Sequence, residues 1–390
     1  MATNRNKLIH AALFTPTSNG WGLPLLFWAS PGCGKSAILE GVAKAVGLPL
    51  EVLSPGERGE GAFGVTPVPS ADGTLMTYPA PDWTGNMANG GIVFLDELST
   101  APPALQPPIL GLALSKRIGG SYLGPRVRII AAANPTEEAA GGWDLAPPLA
   151  NRFGHLDWAM PDSEEWSDWL LGSIDDEEVT PIDALKEEAR VMAAWDEPWA
   201  ETRGLIAAFI RSRPELLHKQ PSLGHPDSSR AWPSHRTWEM AARAYTAGAV
   251  HGMSDRDRDE FVGSFIGMGA VSELVSFAKK NDLPKPLDVL TGKVDFKHSN
   301  KRLDRTYAVM SSCASYVTSK TVSEDSKRQK ELAAKLFEII AEVAEEAIDL
   351  VYPATKLLTD TDLYKVSPTA KAVMRKILPV AQKISGRKAR

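Results

Sequence analysis

The sequence predicts an α/β protein: a P-loop-type parallel sheet core, then a helical lid, then an all-α C-terminal extension. Three observations predict it. Short apolar runs alternate with helically patterned stretches over residues 1–160. The first of these runs leads directly into a glycine-rich loop and a helix. Beyond about residue 161 the short apolar runs stop and helical spacing takes over.

The elements follow in order. Residues 23–28 form an apolar run that ends at the glycine-rich turn, and residues 36–46 follow with apolar side chains at helical spacing (Ile38, Leu39, Val42, Val46). Residues 48–53, 91–95 and 126–132 read as further strands. Short strands of this kind, alternating with helices, belong to a parallel sheet covered on both faces. Between residues 54 and 90 the chain is rich in Gly and Pro, and Asp72-Gly73 separates two β-prone runs, which predicts a hairpin within residues 64–78. The predicted organisation is a nucleotide-binding core over 1–160, a helical lid over 161–250 and a helical extension over 251–390. Residues 220–233 read as a loop, residues 237–250 as helix, and residues 324–350 as the clearest amphipathic helix.

Composition narrows the classes. With 43% hydrophobic and 23% charged residues the chain reads as an ordinary globular protein. The nearest approach to a membrane span, residues 261–277, is interrupted by Ser264, Glu273 and glycines. Two cysteines, one inside the glycine-rich loop, argue against a disulfide framework and for a reducing, cytoplasmic setting. Charge is unevenly spread: 10 basic against 12 acidic residues over 1–160, 11 against 21 over 161–260, and 22 against 15 over 261–390. Such asymmetry suggests segments with different neighbours.

The chemistry lies in the first 240 residues. Ala29-Ser30-Pro31-Gly32-Cys33-Gly34-Lys35-Ser36 follows a strand and opens a helix, matching the P-loop pattern with Ala29 in place of the first glycine. Glycines let main-chain N–H groups converge on phosphate oxygens, and the helix start adds partial positive charge. Pro31, Gly32, Cys33, Gly34, Lys35, Ser36 and Ala37 are the predicted ATP contacts, with Lys35 reaching the outer phosphates. The Ser36 hydroxyl and Asp96 are the predicted Mg²⁺ ligands. Asp96 and Glu97 end the apolar run Ile92-Val93-Phe94-Leu95, and Glu97 is placed as the base that polarises an attacking water. Asn134 ends another small-residue strand and would orient water or touch the terminal phosphate. Arg152 follows a short turn and would supply charge to a neighbouring subunit's phosphate. Arg236 sits in the first turn of a helix that Ser234 is placed to cap, where a cation opposes the helix dipole unless an anion is near.

In this order the motifs resemble the AAA+ superfamily, and within it the MoxR family, over about residues 1–250. Residues 29–36 look like Walker A and 92–97 like Walker B; Asn134, Arg152 and Arg236 sit where the family has sensor 1, the arginine finger and sensor 2. Arg117 is a second candidate for the finger. Residues 64–78 resemble the hairpin insert in helix 2, and residues 119–126 the family's second hairpin. The resemblance implies a hexameric ring of identical subunits that hydrolyses ATP to remodel or mature partner proteins, often with a partner that carries a von Willebrand factor A domain. Residues 251–390 match no pattern of the family. Two other readings stand beside it. One is a nucleic-acid motor or loader, favoured by a tail, residues 371–390, with seven basic and no acidic residues. The other is a nucleotide-binding scaffold without turnover, which the presence of Lys35, Asp96 and Glu97 argues against.

Overall fold

A computed structural model describes residues 2–64, 66–135, 138, 142–158, 162–171, 182–222 and 224–388. Part of the acidic stretch after residue 161 and the last residues of the basic tail lie outside them, as do the side chains of 381–388.

Five strands form one parallel sheet: β1 (Leu25–Trp28), β2 (Leu50–Leu53), β3 (Gly91–Leu95), β4 (Val127–Ala133) and β5 (Gly154–Asp157). Their order is β5-β1-β4-β3-β2. The chain leaves β1 toward the far edge to make β2, and leaves β4 toward the opposite edge to make β5. The loops after β1 and β4 therefore diverge above two adjacent strands, which is where open α/β sheets bind ligands. This is the P-loop nucleoside-triphosphatase fold: parallel sheet, glycine-rich loop after β1, helices on both faces, and a large all-helical C-terminal portion. The fifth strand was not among those expected. Gly154-His155-Leu156-Asp157 is short and mixed in polarity, so it carries no period of its own; pairing with β1 defines it.

β4 is buried along its whole length. Val127, Ile129, Ala131 and Ala133 face a core completed by Leu105, Ile109 and Leu112, from on and beside the helix Gln106–Ser115, and by Phe153. On the other face lies Arg128, 1% exposed. Its guanidinium donates to Leu13 O (3.1 Å), Arg126 O (2.6 Å) and Glu188 Oε1 (2.6 Å). Leu13 ends α1 (Ala2–Leu13) and Glu188 lies early in a 29-residue helix, Ala184–Ser212. One buried cation thus ties two helices to the central strand. Nearby, Lys116 donates to Trp21 O and Pro125 O (2.7 and 2.9 Å); burial, and then the Arg128 charge, push its ammonium down to about 7.

α2 (Lys35–Ala45) follows the glycine-rich loop. The predicted hairpin is present as Val68–Pro69 paired with Met76–Thr77 around Asp72-Gly73, with Gly73 at φ +69°. A second hairpin pairs Arg117–Ile118 with Ser121–Tyr122. The two hairpins touch: Gly120 N donates to Tyr78 O (3.1 Å), and a Cβ on Gly64 would lie 2.8 Å from Gly119 Cα. Where the resemblance implied a helix carrying the insert, the structure has only short turns, Pro55–Arg58 and Glu60–Phe63, because Gly59 and Gly64 take positive φ and end each one.

The chain divides into two compact units, residues 1–191 with 218–269, and residues 192–217 with 270–390. The first unit adds α5 (His235–Val250) and α6 (Asp255–Ile266) to the sheet; α6 packs against β5, where a Cβ on Gly154 would meet Ser264 and Phe265 within 2.8 Å. Packing of this unit therefore runs past residue 250, the expected end of the lid. The second unit is all helical around Val309, Met310, Cys313, Leu336, Phe337 and Ile340. Its long helix, Ser326–Asp360, continues beyond residue 350, where the periodic pattern was expected to end, and breaks its regular backbone at Ala347. No helix among the described residues is long and apolar enough to cross a membrane.

Removing Glu188 would leave the Arg128 guanidinium buried without its carboxylate. Glu188→Ala should cost about 3 kcal/mol of stability, read from urea unfolding of the full chain.

Candidate nucleotide site

The site is built where β1, β3 and β4 end. Ala29 N donates to Ala133 O (3.0 Å), which holds the start of the glycine-rich loop against the last residue of β4. Gly32 and Gly34 both have φ +77°, and a Cβ on either would meet nothing within 4 Å. The loop is thus an open cradle of main-chain amides with α2 starting behind it, the arrangement that receives a phosphate chain. Pro31, Gly32, Gly34 and Ala37 are exposed and Cys33 is buried beneath them.

Four side chains close around the cradle. Lys35 Nζ donates to Asn134 Oδ1 (2.6 Å) and to Ala29 O (3.3 Å). Ser36 Oγ donates to Asp96 Oδ2 (2.9 Å). The other oxygen of Asp96 accepts the amide of Glu97 (2.9 Å). These contacts fit a magnesium nucleotide: a hydroxyl and a carboxylate share one oxygen-lined point for a hard cation, and an ammonium waits beside it on an amide oxygen. Glu97 is exposed and takes the left-handed conformation, φ 52° and ψ 44°. A non-glycine residue there is strained. Thr100 holds it: its N and Oγ1 both donate to Glu97 O at 2.8 Å. Ser99 Oγ accepts the Asn134 amide (3.3 Å). Sequence reasoning missed Ser99; its only signal was its place three residues after Asp96.

A cavity of about 930 Å³ lies beside the loop, lined by Trp28, Pro135, His155, Asp157, Arg230 and Met268 among others. The Arg230 guanidinium is 4.1 Å from the Trp28 ring centroid and 2.8 Å from Asp157 Oδ1. Trp28 Nε1 donates to His155 Nδ1 (2.9 Å), so the proton of His155 is on Nε2, which donates to Ala150 O (2.9 Å). None of Trp28, His155 and Arg230 could be found from the sequence, because strand register and a distant loop bring them together.

Arg152 and Arg236 lie elsewhere. Arg152 lies in the turn just before β5, and β5 begins with Gly154 beside Leu25, at the opposite end of the sheet from the loop. β1 itself, four residues at roughly 3.3 Å each, lies between that end and the loop. Arg152 Nη1 donates to Pro148 O, while its buried Nε has no partner. Burial, then the nearby Arg236 charge, push the Arg152 guanidinium down to about 10. Asn151 fixes the pair: its Oδ1 accepts from Ser234 Oγ (2.7 Å) and its Nδ2 donates to Trp232 O (3.3 Å). Ser234 caps α5 in a reciprocal box with Thr237. The structure therefore brings together Lys35, Ser36, Asp96 and Asn134, with Glu97 beside them, and separately brings together Arg152 and Arg236. Arg117 lies on the second hairpin, its guanidinium 5.6 Å from the Tyr122 ring centroid.

No protein-family profile and no curated protein matches the sequence. Among solved structures, the chain is similar to a Cytophaga hutchinsonii protein provisionally described as an ATPase, with TM-score 0.46 and 14% identity over 71% of this chain and 88% of that one. That likeness is too distant to assign a function.

Burial, reinforced by the nearby Arg230 charge and opposed by the Ala150 carbonyl, pushes the His155 imidazole down to about 4. The unfolded chain takes up this proton near 6.5 and the folded chain only near 4, so this contribution to stability is complete above 6.5 and is lost as pH falls toward 4. His155→Gln should flatten that part of the stability profile, measured by urea unfolding at pH 7 and pH 5.

Proposed function

We propose that the chain is a magnesium-dependent ATPase of the AAA+ type, working as a ring of identical subunits. The observation that carries this reading is the paired contact at the cradle, Lys35 with Asn134 and Ser36 with Asp96. In this reading the amides of residues 31–37 and the Lys35 ammonium bind the phosphates, and the cavity beside Trp28 takes the nucleoside. Ser36 and Asp96 hold Mg²⁺, which neutralises charge on the phosphate oxygens. Asn134 and Glu97 orient the attacking water, and Glu97 accepts its proton.

Arg152 lies at the end of the sheet away from the glycine-rich loop of its own chain. A position before the start of β5, an unpartnered Nε and the company of Arg236 all support a role toward the phosphates of an adjacent copy. Both arginines then act together across the subunit contact, with the helices within residues 161–250 as the lid that couples turnover to movement. A protein target fits the hairpin tips, where Leu75 (66% exposed), Met76, Tyr78 and Tyr122 present apolar surface to solvent. We extend this to a MoxR-like remodelling role, with a von Willebrand factor A domain protein as the expected partner class.

Glu97→Gln should lower the ATPase rate by about 10²-fold or more while ATP still binds; equal, background-level rates in wild type and variant would overturn the reading. Arg152→Ala should likewise lose turnover and keep ATP binding. Mixing the Glu97→Gln and Arg152→Ala chains should restore part of the activity, because some contacts then pair an intact Glu97 with an intact Arg152. Mixtures that stay inactive would remove the role across subunits.

A further inference from the structure

A second cluster of side chains, within the first compact unit, has chemistry that the nucleotide site does not use. His10 lies on α1, Glu187 near the start of the helix Ala184–Ser212, and His251 at the end of α5. His10 Nε2 is 3.6 Å from Glu187 Oε1, and His251 Nδ1 is 4.0 Å from the same oxygen. One ligand-capable atom from each residue lies within 4.8 Å of the other two. The imidazoles meet edge to face with ring centroids 5.3 Å apart. The Nε2 atoms of both are buried and have no hydrogen-bond partner. Buried polar atoms nearly always have a partner, and a missing ion is one of the standing reasons for an orphan. The His10 orphan faces Glu187 directly and His251 turns Nδ1 toward the same carboxylate oxygen, which points to a shared partner.

We propose that His10, Glu187 and His251 bind a borderline divalent transition-metal ion of the Zn²⁺ class. Two neutral imidazoles and one carboxylate are a donor set for such an ion, with a fourth position left for water. Mg²⁺ takes oxygen ligands and is not served by this set. Bonds of about 2.0–2.1 Å require the ligand atoms to approach to about 3.4 Å of one another. Side-chain rotations of about an ångström achieve that.

Arg190 is the competitor. Its Nε and Nη2 fork the two oxygens of Glu187, each at 2.7 Å, and Nη2 lies 3.3 Å from His251 Nδ1. The guanidinium stands in for a cation and lowers affinity for a real one. Arg190 is 49% exposed, so it can turn into water and release Glu187 Oε1. A bound ion would join α1, the helix Ala184–Ser212 and α5 at one point.

The test uses the full chain with saturating Mg²⁺, which occupies the Ser36–Asp96 site. Zn²⁺ binding is followed by calorimetry, Co²⁺ by visible absorption, and stability by Tm. Wild type should bind one Zn²⁺ per chain and gain Tm in its presence. His10→Gln and His251→Gln should weaken Zn²⁺ binding by at least about tenfold and lose the Tm gain. Arg190→Gln should bind Zn²⁺ several-fold more tightly than wild type. The proposal is overturned if wild type and Arg190→Gln both fail to bind Zn²⁺, or if the histidine variants bind it as wild type does. Because Arg190→Gln leaves all three ligands in place, unchanged affinity in that variant also overturns the proposal, even if a histidine variant fails to fold.

Discussion

The two oxygens of Asp96 do different work, and the rest of the site depends on that division. One receives the Ser36 hydroxyl and so fixes the first turn of α2 to the end of β3. The other receives the Glu97 amide and holds that residue in its strained turn. A single carboxylate thereby sets the spacing between the glycine-rich loop and the acidic residue beyond it. It can do so only because β1, β4 and β3 are adjacent and parallel and end at one edge. The sheet order is the condition, and the pair of hydrogen bonds is what makes it local.

Several features were legible in the sequence because their causes are local. The glycine-rich loop, the Asp-Gly turn of the first hairpin, the Ser234 cap and the acid-tipped strand each depend on a few consecutive residues, and each appears where its chemistry put it. What was not legible depends on register. β5 has too few residues to show a period, and only its pairing with β1 places His155 under Trp28. The distance of Arg152 from the loop is likewise a statement about which residue pairs with Leu25, not about composition. The expected lid ended at residue 250, where the family resemblance stops, yet α6 packs on β5 because Gly154 leaves room for Phe265. A boundary drawn from motif order cannot detect a contact made by one missing side chain.

Buried charge is handled differently in different places. Arg128 is enclosed and fully bonded, and its role is to join α1, β4 and the helix Ala184–Ser212. Arg152 is half-enclosed with one nitrogen left without a partner, beside a second arginine that raises the cost of its charge. Like charges held together in a partly dry place are unfavourable in the isolated chain. In the proposed reading that unfavourable energy is relieved when an anion of a neighbouring copy arrives, so the contact between copies is favoured most when the neighbour holds nucleotide.

His155 gives this arrangement a mechanical side. Its ring spans from the Ala150 carbonyl, two residues before Arg152, to the indole of Trp28, one residue before the loop begins. Held neutral, it presents a donor at one end and an acceptor at the other. A tug on the Ala150 carbonyl must break that bond or turn the ring, and turning the ring shifts the indole. In the proposed ring, the state of one nucleotide site would in this way be felt at the next through two hydrogen bonds and a rigid five-membered ring.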